Sequence, residues 1–255
     1  MNKIDAYRQT LRGLATWDDY LMANSGLPGS RANLELIAAA AAEGDETRFR
    51  RWLELGPDVA PVNTPDAFLA VCGTVGLGWL LAAGRREVLA ELQILAADPR
   101  WRIREGVALA LQHWGENDLP ALVQAMGVWA TDNPWSQRAA VAALCEPKLL
   151  RDAGQARGVL NILDGITARL ADSGERRSEA FRVLRQTLGY GWSVVVAAAP
   201  EEGKRLMQKW CASSDQDVRW LMRENLKKAR LAAMDAVWVG LMQQIVERAR
   251  THDML

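Results

Sequence analysis

The side chains of this 255-residue chain best suited to chemistry with a partner are arginines, lysines and tryptophans. Arg100, Arg102, Arg104, Arg138, Arg176, Arg177, Arg182 and Arg185 run through its middle, and residues 204–230 carry eight bases against three acids. Cationic groups meet phosphates and indoles stack on exposed bases, so a groove combining the two suits a nucleic-acid strand. The residues placed to line it are Arg100, Arg104, Arg138, Trp192, Arg219, Trp220, Arg223, Lys227 and Lys228.

Catalytic groups are harder to find. His113 stands late in a helical stretch, "LALQHWGEND", where an imidazole caps or is partly buried, and His252 lies in the tail "RTHDML". "GTVGLG" (Gly73 to Gly78) lacks the Lys-Ser/Thr and the preceding strand of a phosphate loop, so it marks a close helix contact or a break. Glu201-Glu202 opens a helix, where negative charge complements the dipole, and no second acid is in phase for a dyad. Cys72, Cys145 and Cys211 are scattered in apolar helical contexts with no CxxC pair, which argues against a zinc site or disulfide frame. No cofactor or metal is expected, and the balance is against an enzyme.

The elements that must hold these residues are helical. Residues 3–23 carry Ile4, Tyr7, Leu11, Leu14 and Trp17 at three- or four-residue steps, one amphipathic face. "NSGLPGSR" is a loop, "ANLELIAAAAAEG" a helix stopped by Gly44, and "DETRFRRWLELG" a capped helix. "GPDVAPVNTPD" is the richest turn segment and separates an N-terminal helical cap, 1–63, from the main array, 64–255. Beyond it, polar clusters open successive helices: Thr64-Pro65-Asp66, Asp98-Pro99, Asn117-Asp118, Asp132-Asn133-Pro134, Ser173-Gly174-Glu175, Pro200-Glu201-Glu202 and Ser213-Ser214-Asp215. "WSVVVAA" is the one strand-like run, and a helix opener follows it at once. The expected class is all-α.

A repeat organises the array. "DPRWRIRE" (Asp98 to Glu105) returns as "DVRWLMRE" (Asp217 to Glu224), and Asp132, Trp135 and Arg138 keep the same spacing 34 residues after the first. "DSGERRSEAFRVL" echoes it from Asp172 without the Trp. Two readings are open. The Asp caps its helix, the Trp wedges one turn in and the Arg ties to a neighbouring repeat; or the residues are matched contacts for a ligand. Spacings of 34–45 residues are those of stacked helix pairs. On this pattern, residues 64–250 resemble the HEAT-like repeats, which implies a right-handed α-solenoid of antiparallel helix pairs.

A narrower resemblance covers Gly191 to Leu231. Trp192, Trp210 and Trp220-Leu221-Met222-Arg223 resemble the core segment of the HEAT-like DNA glycosylases that excise alkylated bases. In that family a catalytic Asp follows the leading Trp by four residues; here the position is Val196, which cannot stabilise an oxocarbenium ion. The resemblance therefore implies a relative that binds DNA without excision. The alternatives are a protein or peptide scaffold and a glycosylase using another acid.

The totals bound these readings. Net charge is zero, which argues against coating a polyanion, although residues 1–98 hold nine bases against thirteen acids and 204–255 ten against six. Ala67 to Ala83 is the one membrane candidate. Its glycines and the lack of basic residues on its N-terminal side favour a buried helix. A cytoplasmic location without a membrane is expected. Trp17, Trp52, Trp79, Trp114, Trp129 and Trp238 sit on apolar faces and belong to the core.

Overall fold

Helix starts are chemically marked. Asn2, Asn33, Asp45, Thr64, Asn133, Asp152, Ser178 and Asp215 each accept an amide of the turn that follows, satisfying a donor that has no partner inside the helix. Pro65, Pro134 and Pro200 occupy first turns. The computed structural model describes residues 2–252, with side chains as far as Arg248. Among the described residues it holds fourteen α-helices and no strand. The all-α expectation holds, and "WSVVVAA" lies inside a helix.

Two compact units divide at Asp118 and Leu119. In the first, α1 (Lys3–Arg12), α3 (Leu34–Glu43), α5 (Pro65–Ala82) and α7 (Trp101–Asn117) pack each on the next. Packed against α5 are also α2 (Asp18–Ala23), α4 (Glu46–Leu53) and α6 (Val88–Leu95). Residues Ala67 to Gly78 of α5 are buried without interruption. By length and composition α5 could cross a membrane, but most of it is core here. Its glycines let neighbours close in. A Cβ at Gly76 would lie 2.5 Å from the Phe49 ring, and one at Gly78 2.5 Å from the Ala110 carbonyl oxygen. "GTVGLG" is thus a packing surface. Residues 3–23 are not one helix: α1 stops at Gly13, whose amide turns back to Thr10, and Trp17 begins α2.

In the second unit α8 (Leu119–Trp129), α10 (Ala153–Ala171), α12 (Pro200–Cys211) and α14 (Ala229–His252) contact in succession. So do α9 (Pro134–Leu144), α11 (Glu179–Ala198) and α13 (Gln216–Leu226). Buried Asn225 pins α13 to α11, accepting the Ser193 amide at 2.8 Å and donating to the Leu188 carbonyl at 2.8 Å. α14 breaks at Asp235, whose carboxylate accepts the Trp238 amide at 2.9 Å and so caps the continuation. Cys72, Cys145 and Cys211 are free and buried, and burial pushes the Cys211 thiol up to about 12 and the other two upward as well. Such thiols are inert.

Candidate nucleic-acid interface

α7, α9 and α13 begin with one shared device. The fourth residue of each sends its side chain back to the carbonyl five residues earlier. Arg104 reaches Pro99 at 3.3 Å and also Asp98 at 2.8 Å; Gln137 reaches Asp132 at 2.8 Å; Arg219 reaches Ser214 at 2.5 Å. All three donors are buried. Each satisfies a carbonyl beside a helix start, where the chain has just turned and lacks a ladder partner. Here the octapeptide reading needs correction. By letters Arg104 aligns with Arg223, whereas by position in the helix it aligns with Arg219.

The expected register of cap, Trp and Arg also differs between copies. Trp101 is the first residue of its helix, Trp135 the second and Trp220 the fifth. The side-chain caps are Asn133 and Asp215, and Asp217 lies inside α13. Asp98 instead clamps Arg100, accepting its amide at 2.7 Å and two of its guanidinium nitrogens. A tie between neighbouring elements does form, through other arginines. Arg176 donates to Asp215 and Asp217, both at 2.6 Å, and Arg185 donates to Asp217. Held by two arginines, Asp217 is fixed in its buried site. The opener Ser173-Gly174-Glu175 precedes this tie, and the true cap is Ser178.

The fate of the nine expected contact residues follows. Arg100 and Arg104 belong to the first unit and the other seven to the second. Arg100, Arg104, Arg138, Trp192 and Arg219 are buried, so they cannot offer themselves to a backbone phosphate. Arg100 donates to the Leu55 and Ala60 carbonyls at 2.7 and 3.2 Å, and the Trp192 indole donates to Thr167 at 3.0 Å. The physical reason is local: each sits at the start of a core helix, or mid-helix in α11, where the side chain finds the chain's own acceptors.

Trp220, Arg223, Lys227 and Lys228 remain accessible. The first three recur at i, i+3 and i+7, on one stripe that runs along α13 to its C-cap, Lys227. The Trp220 ring covers Gly189 of α11, where a Cβ would meet it at 3.2 Å, and the Arg185 guanidinium lies 4.3 Å from its centroid. One residue along α11, Tyr190 carries the Arg230 guanidinium 4.9 Å from its centroid. Such pairs join a flat π-face to a cation. Two charges on the stripe are partly neutralised, Arg223 by Glu247 at 3.1 Å and Lys227 by Glu224 at 2.5 Å. Lys228 has no ion pair among the described residues. Tyr190 was not legible as a contact residue, since its partner Arg230 lies forty positions on.

Catalytic groups do not assemble. His113 stacks on Trp79 with ring centroids 3.4 Å apart, and burial holds its pKa below the usual imidazole value. The His252 side chain lies outside the described residues. Val196 is buried against Gly203, whose Cβ would come within 2.7 Å of the Val196 Cα. No cluster of His, Cys, Asp and Glu suited to a metal occurs among the described residues. Trp17, Trp52, Trp114 and Trp129 are core residues, while Trp79 and Trp238 are partly buried. No family model, curated protein or solved structure matches this chain.

Proposed function

We propose that this is a non-catalytic binding protein of HEAT-like helix pairs, a right-handed α-solenoid in the cytoplasm, that engages DNA through the α11–α13 face of its second unit. The stacked-pair reading is supported by the second unit, where odd- and even-numbered helices each contact in succession, and by the odd-numbered series of the first. The observation that carries the partner is the α13 stripe, with an indole, a guanidinium and an ammonium aligned, the indole itself carrying Arg185 and a further cation–aromatic pair, Arg230 on Tyr190, beside it. With Arg100, Arg104, Arg138 and Arg219 buried, the contact is short, and it suits a bent or branched duplex whose unstacked bases can meet Trp220. Excision is not part of this reading, because the position of the carboxylate it would need is Val196, walled in by Gly203.

Fluorescence anisotropy on duplex and branched DNA across a salt series tests it. If Arg223, Lys227 and Lys228 each neutralise one phosphate, log K falls with log salt at a slope of about −2.7. Lys227→Glu with Lys228→Glu removes most of that slope, and Trp220→Ala weakens branched DNA more than plain duplex. Undetectable binding at low salt, or binding indifferent to salt, overturns the reading. Release of free base from methylated DNA would instead place an active enzyme here.

One observation favours a second reading, a scaffold for a protein or peptide. On α14 Val237 is 77% exposed and Leu241, one turn on, 52%. An apolar strip of this kind suits a partner helix. On that reading the charge reversals at Lys227 and Lys228 leave partner capture intact in a pull-down.

A further inference from the structure

Of the three arginines in "DPRWRIRE", the middle one is satisfied differently from its neighbours. Arg100 is locked to Asp98 and to carbonyls, and Arg104 to carbonyls. Arg102 is as buried as they are, 6% exposed, yet it has no carboxylate partner among the described residues. Its Nη2 donates to neutral acceptors, the Gly29 carbonyl at 2.7 Å and the Asn63 side chain at 2.8 Å. Its Nε is buried and donates to nothing. Burial lowers its pKa from the ordinary guanidinium value, as expected for a cation without a counter-charge. Folded chains rarely leave such a group uncompensated.

Arg102 lines a cleft of about 540 Å³ in the first unit, between the loop before α3, the start of α3, α5 and the first turns of α7. That volume falls in the range of about 300–1,000 Å³ usual for small-molecule sites. Leu27, Leu34, Ile37, Phe68 and Leu109 supply apolar wall. Trp101, 46% exposed, lies at the cleft with its ring 4.3 Å from the Arg102 guanidinium. The start of α7 has no side-chain cap hydrogen bond of its own, and the nearest carboxylate, Asp98, is engaged with the Arg100 amide and guanidinium. Arg31, Glu35 and Glu105 complete the charged lining. Two cations against two acids disfavour a polyanion, and the one place for a single negative charge is beside Arg102, which hydrogen-bonds only neutral acceptors.

The geometry points to a binding site for a small organic monocarboxylate with an apolar or aromatic body, its carboxylate on Arg102 and its body against Trp101 and the α3–α5 wall. This site lies in the first unit and is independent of the DNA reading.

Calorimetry of the full chain with 3-phenylpropionate and with decanoate, beside 3-phenylpropanol and inorganic phosphate, tests it. At least one acid binds, at least tenfold tighter than the alcohol, and phosphate does not compete. Arg102→Met lowers acid affinity at least tenfold and leaves the alcohol's affinity unchanged; losing the hydrogen bonds to Gly29 and Asn63 lowers the melting temperature without ligand by several degrees, but the chain stays folded. Should that variant fail to fold, Leu34→Asp, at an exposed wall position, puts a carboxylate at the mouth and weakens the acid but not the alcohol. A pentapeptide ending in phenylalanine, run as free acid and as amide, assigns the carboxylate to a chain terminus if the peptide acid binds tighter, and to a free acid if it binds weaker. No binding of either acid, equal binding of acid and alcohol, displacement by phosphate, or indifference to both substitutions overturns the proposal.

Discussion

At the scale of single residues, one amino-acid type does three jobs in this chain, and surroundings decide which. Arg104 and Arg219 satisfy carbonyls at helix starts, Arg176 and Arg185 hold Asp217, and Arg223 lies at the surface. Arg104→Ala and Arg219→Ala should each cost about 1–3 kcal/mol, because a buried side chain and its charged hydrogen bond to a helix-start carbonyl are both lost. Arg223→Ala should cost about 0–1 kcal/mol, as exposed ion pairs do. Urea denaturation midpoints separate the two classes, and equal costs would contradict the assignment. The letters of the two octapeptides could not reveal this, since Arg104 and Arg223 look equivalent until the caps fix where each helix begins. A second residue-scale case is Glu43 of α3, which receives Arg12 and Arg8 of α1. The hydrogen bond from Arg12, aided by Arg8, holds its carboxyl down at about 2 from an ordinary 4.5. A lowered carboxylate supplies stability that is complete above the unfolded value and is lost as pH falls through the folded one. Glu43→Gln should therefore lower stability at pH 7 and flatten the acid loss between pH 4.5 and 2. Denaturation midpoints at several pH values check this, and parallel curves for the two proteins would exclude the coupling.

At the scale of elements, the sequence was most legible where chemistry is local. Asp45, Thr64, Asn133 and Asp215 cap helices because each reaches an amide two or three residues on, a rule that needs no tertiary information. The break at Gly13 escaped the periodicity of residues 3–23, since apolar spacing survives an interruption that returns in phase. Glycine roles divide by neighbour. In α5, Gly78 meets the backbone of Ala110, so Gly78→Ala gains helix propensity but must push α7 aside, a net loss of about 1–3 kcal/mol. In α8, a Cβ on Gly127 meets nothing within 4 Å, so Gly127→Ala should gain about 0.5–1 kcal/mol. Thermal denaturation of the pair reads opposite signs. A gain at Gly78 would mean that the α5–α7 contact is looser than its geometry implies.

At the scale of the molecule, the division at Asp118 and Leu119 falls inside the stretch whose grammar looked continuous from residue 64. Asn117-Asp118 differs in no local way from the other openers. What sets the boundary is which helices bury one another, and that depends on contacts distant in sequence. The first unit centres on α5 and the second on α11, each touching most helices of its own unit. Helices that touch most of their unit open last, so protection from exchange should peak in those two helices and decline towards α1 and α14. Leu188 is fully buried in α11, and Leu188→Ala should cost about 2–5 kcal/mol through the cavity it leaves. Hydrogen–deuterium exchange by mass spectrometry should then show faster exchange across α9, α11 and α13 while α5 and α7 keep their protection. An equal loss in α5 would mean that the two units open as one cooperative block. The surface stripe on α13 would then owe its geometry to both cores, and not to the one that carries it.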